Sequence, residues 1–388
     1  MILRLVISMG GRVLAAVVQV AVFALLARSL GVDLFGSFTL ITSYTLLALA
    51  VLDFGMATRV LRGIHTRADR SELTTFAVAR AFTLLILMGT MALAAGYWRI
   101  DAILAVVTVL YVVGESTGDV AVAIQQGRKR SGLAMTILLS RRVSAFLPVA
   151  IAPGQLGAEI SAAVAGLCGI AWFFFTTVKI FSKPAALHVL IRKNLGIIAS
   201  GGATSFAQLD APIIGFNLGA AGAGLYGAAL RLLNPLNLAV TTMLQVVIPE
   251  LASANQDEDR IRVFRRVRNT VLVFATALAG LSWAAPNLIV FLYGEEFAGA
   301  APVAVAVFIC AALAAVSQVH MTWFYSTRVP LSVPIAMWTA VSIGLGAIFL
   351  LSWAFGLTGA AAGLVLMHAL TTAVIVVICN SEIRRITG

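Results

Sequence analysis

Apolar residues run along this chain in stretches of about 20, the length at which an α-helix crosses hydrocarbon. The strands of a membrane barrel would instead alternate apolar and polar residues over short segments. Cutting the chain at its polar and Gly/Pro breaks predicts about twelve spans. They are centred on 5–28, 36–58, 73–97, 102–125, 131–152, 157–179, 195–217, 223–249, 267–285, 300–325, 332–353 and 357–379.

One phrase occurs twice. LGVDLFGSF (30–38) and LGAAGAGLY (218–226) both read L-G-x4-G-x-[FY], the second starting 188 residues after the first. The first joins spans one and two and the second joins seven and eight. A second echo keeps the register: Gly154-Gln155-Leu156-Gly157-Ala158 enters span six, and Gly356-Leu357-Thr358-Gly359-Ala360 enters span twelve. The pattern therefore predicts an all-α integral membrane protein of two six-helix pseudo-repeat bundles, 1–181 and 195–388, joined by a basic linker at 182–194. An even number of spans per half sets the axis relating the halves along the membrane normal. Glycine suits these turns because it accepts positive φ and lets helix ends approach closely.

Composition agrees. Hydrophobic residues make up 61% of the 388 residues and charged residues 11%, with a mean hydropathy of +1.00. A soluble domain carries about 25% charge. The net charge of +11 is read as positive-inside loops, not as a nucleic-acid surface. Arg4, the loops at 59–70, 128–130, 179–193 and 260–268, Arg328, Arg384 and Arg385 hold 20 of the 27 basic residues, all on one predicted side. The opposite loops carry Arg28 and Arg99 with Asp33, Asp101, Glu295 and Glu296. Both termini are accordingly expected on the cytoplasmic side of the membrane, with Trp98, Trp283 and Trp353 near the outer boundary. No cleaved signal peptide is expected, because the first apolar run is long and contains Arg12. Cys168, Cys310 and Cys379 lack metal-ligand spacing and are read as small core residues. The connector KIFSKPAALHVLIRKN (179–194) fits either a short helix on an anionic leaflet or a plain cytoplasmic linker.

Ionisable residues at depth need a reason, since each costs about 2.5–3.5 kcal/mol at mid-bilayer. Arg12, Arg80, Arg141, Arg142 and Arg231 lie at least about 10 Å inside predicted spans. The acids at depth are Asp53, Glu115, Asp119 and Asp210. The arginines are candidates for lining an anion-binding cavity, because guanidinium meets phosphate oxygens with two parallel bonds. The competing reading is intramembrane ion pairs that lock helices together. Arg141 and Arg142 stand about 100° apart on a helix, so they are expected not to face one point, one facing a cavity while the other pairs with an acid on a neighbouring helix. Glu115 and Asp119, four residues apart, share a face and are candidates for proton or cation coupling, or for pairing with Arg80 or Arg142. Asp53 and Asp210 are further coupling candidates. His320 and His368 are read chiefly as partners of neighbouring helices. Pro148, Pro212, Pro235, Pro249, Pro302 and Pro334 permit kinks.

These residues carry a family resemblance. LLARSLGVDLFGSFTLITSYTLLALAVLDFGMATRVLRG (25–63), LDAPIIGFNLGAAGAGLYGAALRLLNPL (209–236), VVIPELA (246–252), IVFLYGEEFAGAAPV (289–303) and GLTGAAAGLVL (356–366) resemble bacterial polysaccharide (O-antigen type) flippases. Those belong to the multidrug/oligosaccharidyl-lipid/polysaccharide exporter superfamily. Leu30, Gly31, Gly36, Asp53, Gly55, Asp210, Gly219, Gly224, Tyr226 and Pro249 are the matching positions. The resemblance implies two bundles around a central cavity. It also implies translocation of an undecaprenyl-diphosphate-linked oligosaccharide, as in lipopolysaccharide synthesis, by alternating access. Membrane lipids, H+ or Na+, and other polysaccharide-assembly proteins are the partners it implies, without cofactor, metal or nucleic acid.

Two alternatives stay open: a drug/cation antiporter of the same superfamily, and a non-transporting scaffold in polysaccharide assembly. Deep arginines outnumber deep acids five to four, which favours an anionic ligand over a cationic one. A membrane enzyme is disfavoured, because the longest stretches outside the spans, near 59–72 and 253–266, are short, basic and without a catalytic signature.

Overall fold

The computed structural model describes residues 2–52, 60, 67–98, 101–128, 130–186, 188, 205–233, 235–237, 240, 257–326 and 330–387. Among them ten α-helices have defined bounds: α1 (Ile2–Leu52), α2 (Arg67–Trp98), α3 (Ala102–Gly127), α4 (Ser131–Ile151), α5 (Gln155–Thr177), α6 (Asp210–Leu230), α7 (Asp257–Gly280), α8 (Ala285–Tyr293), α9 (Ala301–Ser326) and α10 (Ser332–Thr387). The described residues contain no strand. They include nine helical stretches long and apolar enough to cross a membrane. Asp53 and Pro249 lie outside the described residues, as do parts of the spans expected at 195–217 and 223–249.

Two of the long helices are helical hairpins. In α1 the backbone breaks at Gly31, with φ 68° and ψ 177°. Phe23 and Phe38 nevertheless pack with ring centroids 6.5 Å apart. Fifteen residues of straight helix would separate them by about 22 Å, so the chain doubles back at the glycine. In α10 the break is Gly356, φ 61°. A Cβ on Gly344 would stand 2.4 Å from Met367 Cβ, which again requires reversal. In α6 Gly219 takes φ 74° and ψ −173°, nearly the conformation of Gly31, its counterpart in the repeated phrase. Gly154, partner of Gly356 in the second echo, also has positive φ. Positive φ with ψ near 180° is open essentially to glycine alone, and an L-residue there costs about 1–3 kcal/mol.

The chain divides into two compact units, Met1–Pro212 and Ile213–Gly388. In the first, α3 and α5 cross at backbone contact. A Cβ on Gly166 would lie 2.5 Å from Leu110 O, and one on Gly169 would lie 2.2 Å from Gly114 O. Close approach of this kind replaces side-chain interdigitation with direct main-chain packing. Helix α4 is tied to α5 by hydrogen bonds from Ser161 Oγ to Ala145 O and from Trp172 Nε1 to Ser140 Oγ (2.8 Å). Asp101 caps α3 through Ile103 N (2.7 Å) and Leu104 N (3.1 Å), and Gln155 Nε2 donates to its other carboxylate oxygen. Beyond α5 the chain is stitched to the first turns of α2. Ser71 Oγ donates to Lys183 O (2.6 Å), Thr75 Oγ1 to Ala185 O (2.7 Å), and Ser182 N to Thr74 Oγ1 (3.0 Å). The linker expected at 182–194 is described only as far as 186 and at His188, where it begins as this strap.

In the second unit α7, α9 and the end of α10 share a core of Phe264, Val271, Ala315, Val319, Trp323, Phe324, Ile375 and Cys379. His320 belongs to it: Nδ1 lies 2.7 Å from Val316 O and the ring meets Phe264 edge-on at 5.6 Å. The polar stretch expected at 253–266 is helical from Asp257 onward. Its arginines alternate with buried Ile261, Phe264 and Val267, so one face of a charged segment is core. The chain expected as a loop after 285 forms α8, whose start admits Pro286 because the first helical N–H groups need no intrahelical acceptor. Pro302 and Pro334 likewise fall in first turns, whereas Pro148 lies inside its helix.

Phe82, Leu85, Ile86 and Leu93 stand exposed on α2, and Phe291, Trp353 and Val377 stand exposed in the second unit. Water would not tolerate that much outward apolar surface, and a bilayer requires it.

Candidate functional site

The charged residues of α3 and α4 form one cluster inside the first unit. Glu115, Gly118 and Asp119 occupy one face of α3, at i, i+3 and i+4. Arg141 of α4 lies across that face. Its Nε and NH2 donate to the Glu115 carboxylate (3.3 and 2.6 Å), NH2 also reaches Glu115 O (2.7 Å), and NH1 donates to Asp119 Oδ1 (3.0 Å). Gly118 makes room, since a Cβ there would stand 2.7 Å from the guanidinium. Arg142 donates from NH1 to Glu115 Oε2 (2.6 Å), so a single carboxylate oxygen serves two arginines.

Exposure separates the members. The Arg141 side chain is 0% exposed and Glu115 14%, whereas Asp119 is 60% exposed. Arg142 is buried, and its Nε–H has no hydrogen-bond acceptor among the described residues. Arg80 enters from α2: it lies over the Phe76 ring at 4.9 Å and donates from NH2 to Ser116 Oγ at 3.1 Å, beside Glu115. A carboxylate shared by several fixed donors keeps its charge at tolerable cost, and charge-assisted bonds of this length are the strong ones.

Arg141 and Arg142 both turn to Glu115 in spite of their 100° offset, because the two long side chains converge on an acid between them. Both deep arginines of α4 are therefore engaged in ion pairs, with Arg141 enclosed entirely. Arg12, half-buried on α1, lies next to Gly11, where a Cβ would stand 2.7 Å from Met135 Sδ on α4. Asp210 and Arg231 are elsewhere in the chain. Asp210 accepts from Ala211 N (2.7 Å) at the start of α6, and Arg231 follows that helix within electrostatic range of Tyr293. Ser116 and Gly118 were not singled out by sequence, although a glycine on the face of two acids was the available signal.

These features define an all-α, multi-pass membrane protein with a buried guanidinium–carboxylate network in its first bundle. The chain belongs to the polysaccharide biosynthesis protein family, whose model matches residues 25–302. Its fold is shared with solved transporters. An inward-facing multidrug resistance MATE family transporter of the MOP superfamily aligns with a TM-score of 0.75 at 13% identity, over 96% of this chain and 95% of that one. The lipid II flippase MurJ in an inward closed conformation aligns at 0.75 and 11% identity, over 98% and 90%. A MOP superfamily transporter from Pyrococcus furiosus aligns at 0.59 and 15% identity, over 100% and 95%. No curated protein matches the chain by sequence.

Proposed function

We propose that this chain is a flippase carrying an undecaprenyl-diphosphate-linked oligosaccharide from the inner to the outer leaflet of the bacterial cytoplasmic membrane, for O-antigen or a related polysaccharide. What supports this reading is membership of the polysaccharide biosynthesis family on a MOP-type transporter fold. In this reading Arg142, with its donor to spare, Arg12 and Arg80 are the first unit's candidates for meeting the diphosphate, and Arg231 is the second unit's candidate. Arg141 is a positioning residue that holds Glu115 and Asp119. Asp119 is the accessible acid through which H+ or Na+ acts, with Glu115 behind it; Asp53 and Asp210 remain further coupling candidates. Neutralising Asp119 frees one nitrogen of Arg141 and loosens the α3–α4 contact, a step suited to alternating access. Both termini face the cytoplasm.

The test is transport of fluorescent lipid-linked oligosaccharide in proteoliposomes. Inner-to-outer signal is expected from the native chain and is lost in Arg142→Gln at unchanged expression. Absence of transport by the native chain across several lipid-linked glycans overturns the reading.

One observation favours a second reading, a drug/cation antiporter. The most accessible charge of the cluster is the carboxylate of Asp119, and acidic groups suit cationic cargo. Export of organic cations that stops in Asp119→Asn, without glycan transport, selects it.

A further inference from the structure

Away from that cluster, four helix ends of the first unit enclose a basic cleft of about 440 Å³. Arg70 comes from the first turn of α2, Gln125 and Arg128 from the end of α3, Arg130 from the start of α4, and Lys179 from the turn after α5. The strap from Ser182 to Ala185, bonded to α2, holds the chain after Lys179 against the helix that carries Arg70. Leu73, Phe76, Ile124, Ile137 and Phe173 form the core beneath. All four cations are exposed, the lining contains no carboxylate, and none of the four has an acidic partner among the described residues.

Three further observations say that the cleft is built for an anion. Burial, and then the charges of Arg130 and Arg70, hold the Arg128 guanidinium below its ordinary pKa, as crowded cations do without a counter-charge. Arg130 occupies the N-cap of α4 and makes no side-chain capping bond. A cation there has the wrong sign for a helix N-terminus, and an anion in the cleft would correct it. Gln125 is 2% exposed and its Oε1 has no hydrogen-bond partner among the described residues.

A second, apolar groove of about 300 Å³ adjoins the cleft through Phe175, which lines both. Its walls are Cys168, Ala171, Trp172 and Phe175, at i, i+3, i+4 and i+7 on α5. That stripe runs about 10 Å along the helix away from the charged end. Phe175 is 73% exposed on the outer surface, and the Trp172 ring is fixed by its bond to Ser140.

We propose that cleft and stripe together bind an anionic glycerophospholipid of the leaflet at this end of the bundle, its phosphate among Arg70, Arg128, Arg130 and Lys179 and one acyl chain along the stripe. The carboxamide oxygen of Gln125 accepts from a headgroup hydroxyl, which selects a glycerol-type headgroup. A diphosphate-linked polyprenol shares the phosphate chemistry but lacks the paired acyl chains and the glycerol.

The experiment is native mass spectrometry and thermal denaturation of the full chain in detergent, titrated with dioleoyl-phosphatidylglycerol, dioleoyl-phosphatidylcholine, undecaprenyl diphosphate, glycerophosphoglycerol or inorganic phosphate. Phosphatidylglycerol is expected to be retained and to stabilise, and the zwitterionic lipid is not. Each basic residue removed costs about fivefold in lipid affinity. Arg128→Gln/Arg130→Gln should therefore lose binding, whereas Arg384→Gln/Arg385→Gln, outside the cleft, should keep it. Trp172→Ala should weaken the lipid and leave phosphate binding untouched. Equal retention of both lipids by the native chain overturns the proposal, even if the cleft variant fails to fold. So does full stabilisation by phosphate or headgroup alone, which would make the cleft a soluble-anion site. Preference for a polyprenyl diphosphate over phosphatidylglycerol, reversed by the cleft variant, would also overturn it.

Discussion

Glu115 is the residue on which the buried network turns. Both Arg141 and Arg142 rely on its carboxylate, and Arg141 has no solvent to fall back on. Glu115→Gln should destabilise the chain by about 3 kcal/mol, the usual cost of orphaning a buried charge. The check is the thermal midpoint of the detergent-solubilised protein. Glu115→Gln/Arg141→Gln should recover part of that loss, because it removes both charges of a pair. Asp119→Asn behaves differently: at 60% exposure its bond to Arg141 contributes under about 1 kcal/mol, so folding should survive. Its effect should instead appear as a flattened pH or Na+ dependence of transport. Sequence placed Glu115 and Asp119 on one face and put arginines within reach. It could not choose among Arg80, Arg141 and Arg142, since a helix phase says where a Cα points and not where a seven-atom side chain ends.

At the scale of elements, glycine is the organising residue. Gly31 and Gly219 share a conformation that L-residues resist, and alanine at either should cost about 1–3 kcal/mol. Gly166→Ala should cost more, because its Cβ would meet main chain, which cannot rotate aside. Gly10→Ala supplies the contrast: nothing lies within 4 Å, and the change should be neutral or slightly stabilising. Ranked thermal midpoints of these variants test the set. The repeated L-G phrases made the turns at Gly31 and Gly219 visible beforehand, since a positive-φ requirement leaves a mark on sequence. The helical start of α7 was not visible in the same way. Asp257 to Arg268 is too charged for a span, and its buried Ile261, Phe264 and Val267 appear as a face only once the helix is drawn.

At the scale of the whole molecule, composition and the length of apolar runs sufficed for an all-helical membrane protein, because lipid leaves few other solutions for the backbone. Charge distribution carries a further expectation about orientation. In a background where the three native cysteines are replaced, Lys183→Cys and Arg385→Cys should label only from the cytoplasmic side. Glu295→Cys should label from the outside in intact cells. The opposite pattern would invert the assignment of leaflets on which the transport direction rests.

The main-chain crossing of α3 and α5 has a mechanical consequence. With Gly114, Gly166 and Gly169 at the crossing point, main chain meets main chain there, and sliding at that point would drive carbonyl oxygens into Cα atoms. The pair is a rigid keel. Whatever opens and closes within the first unit must leave that crossing intact.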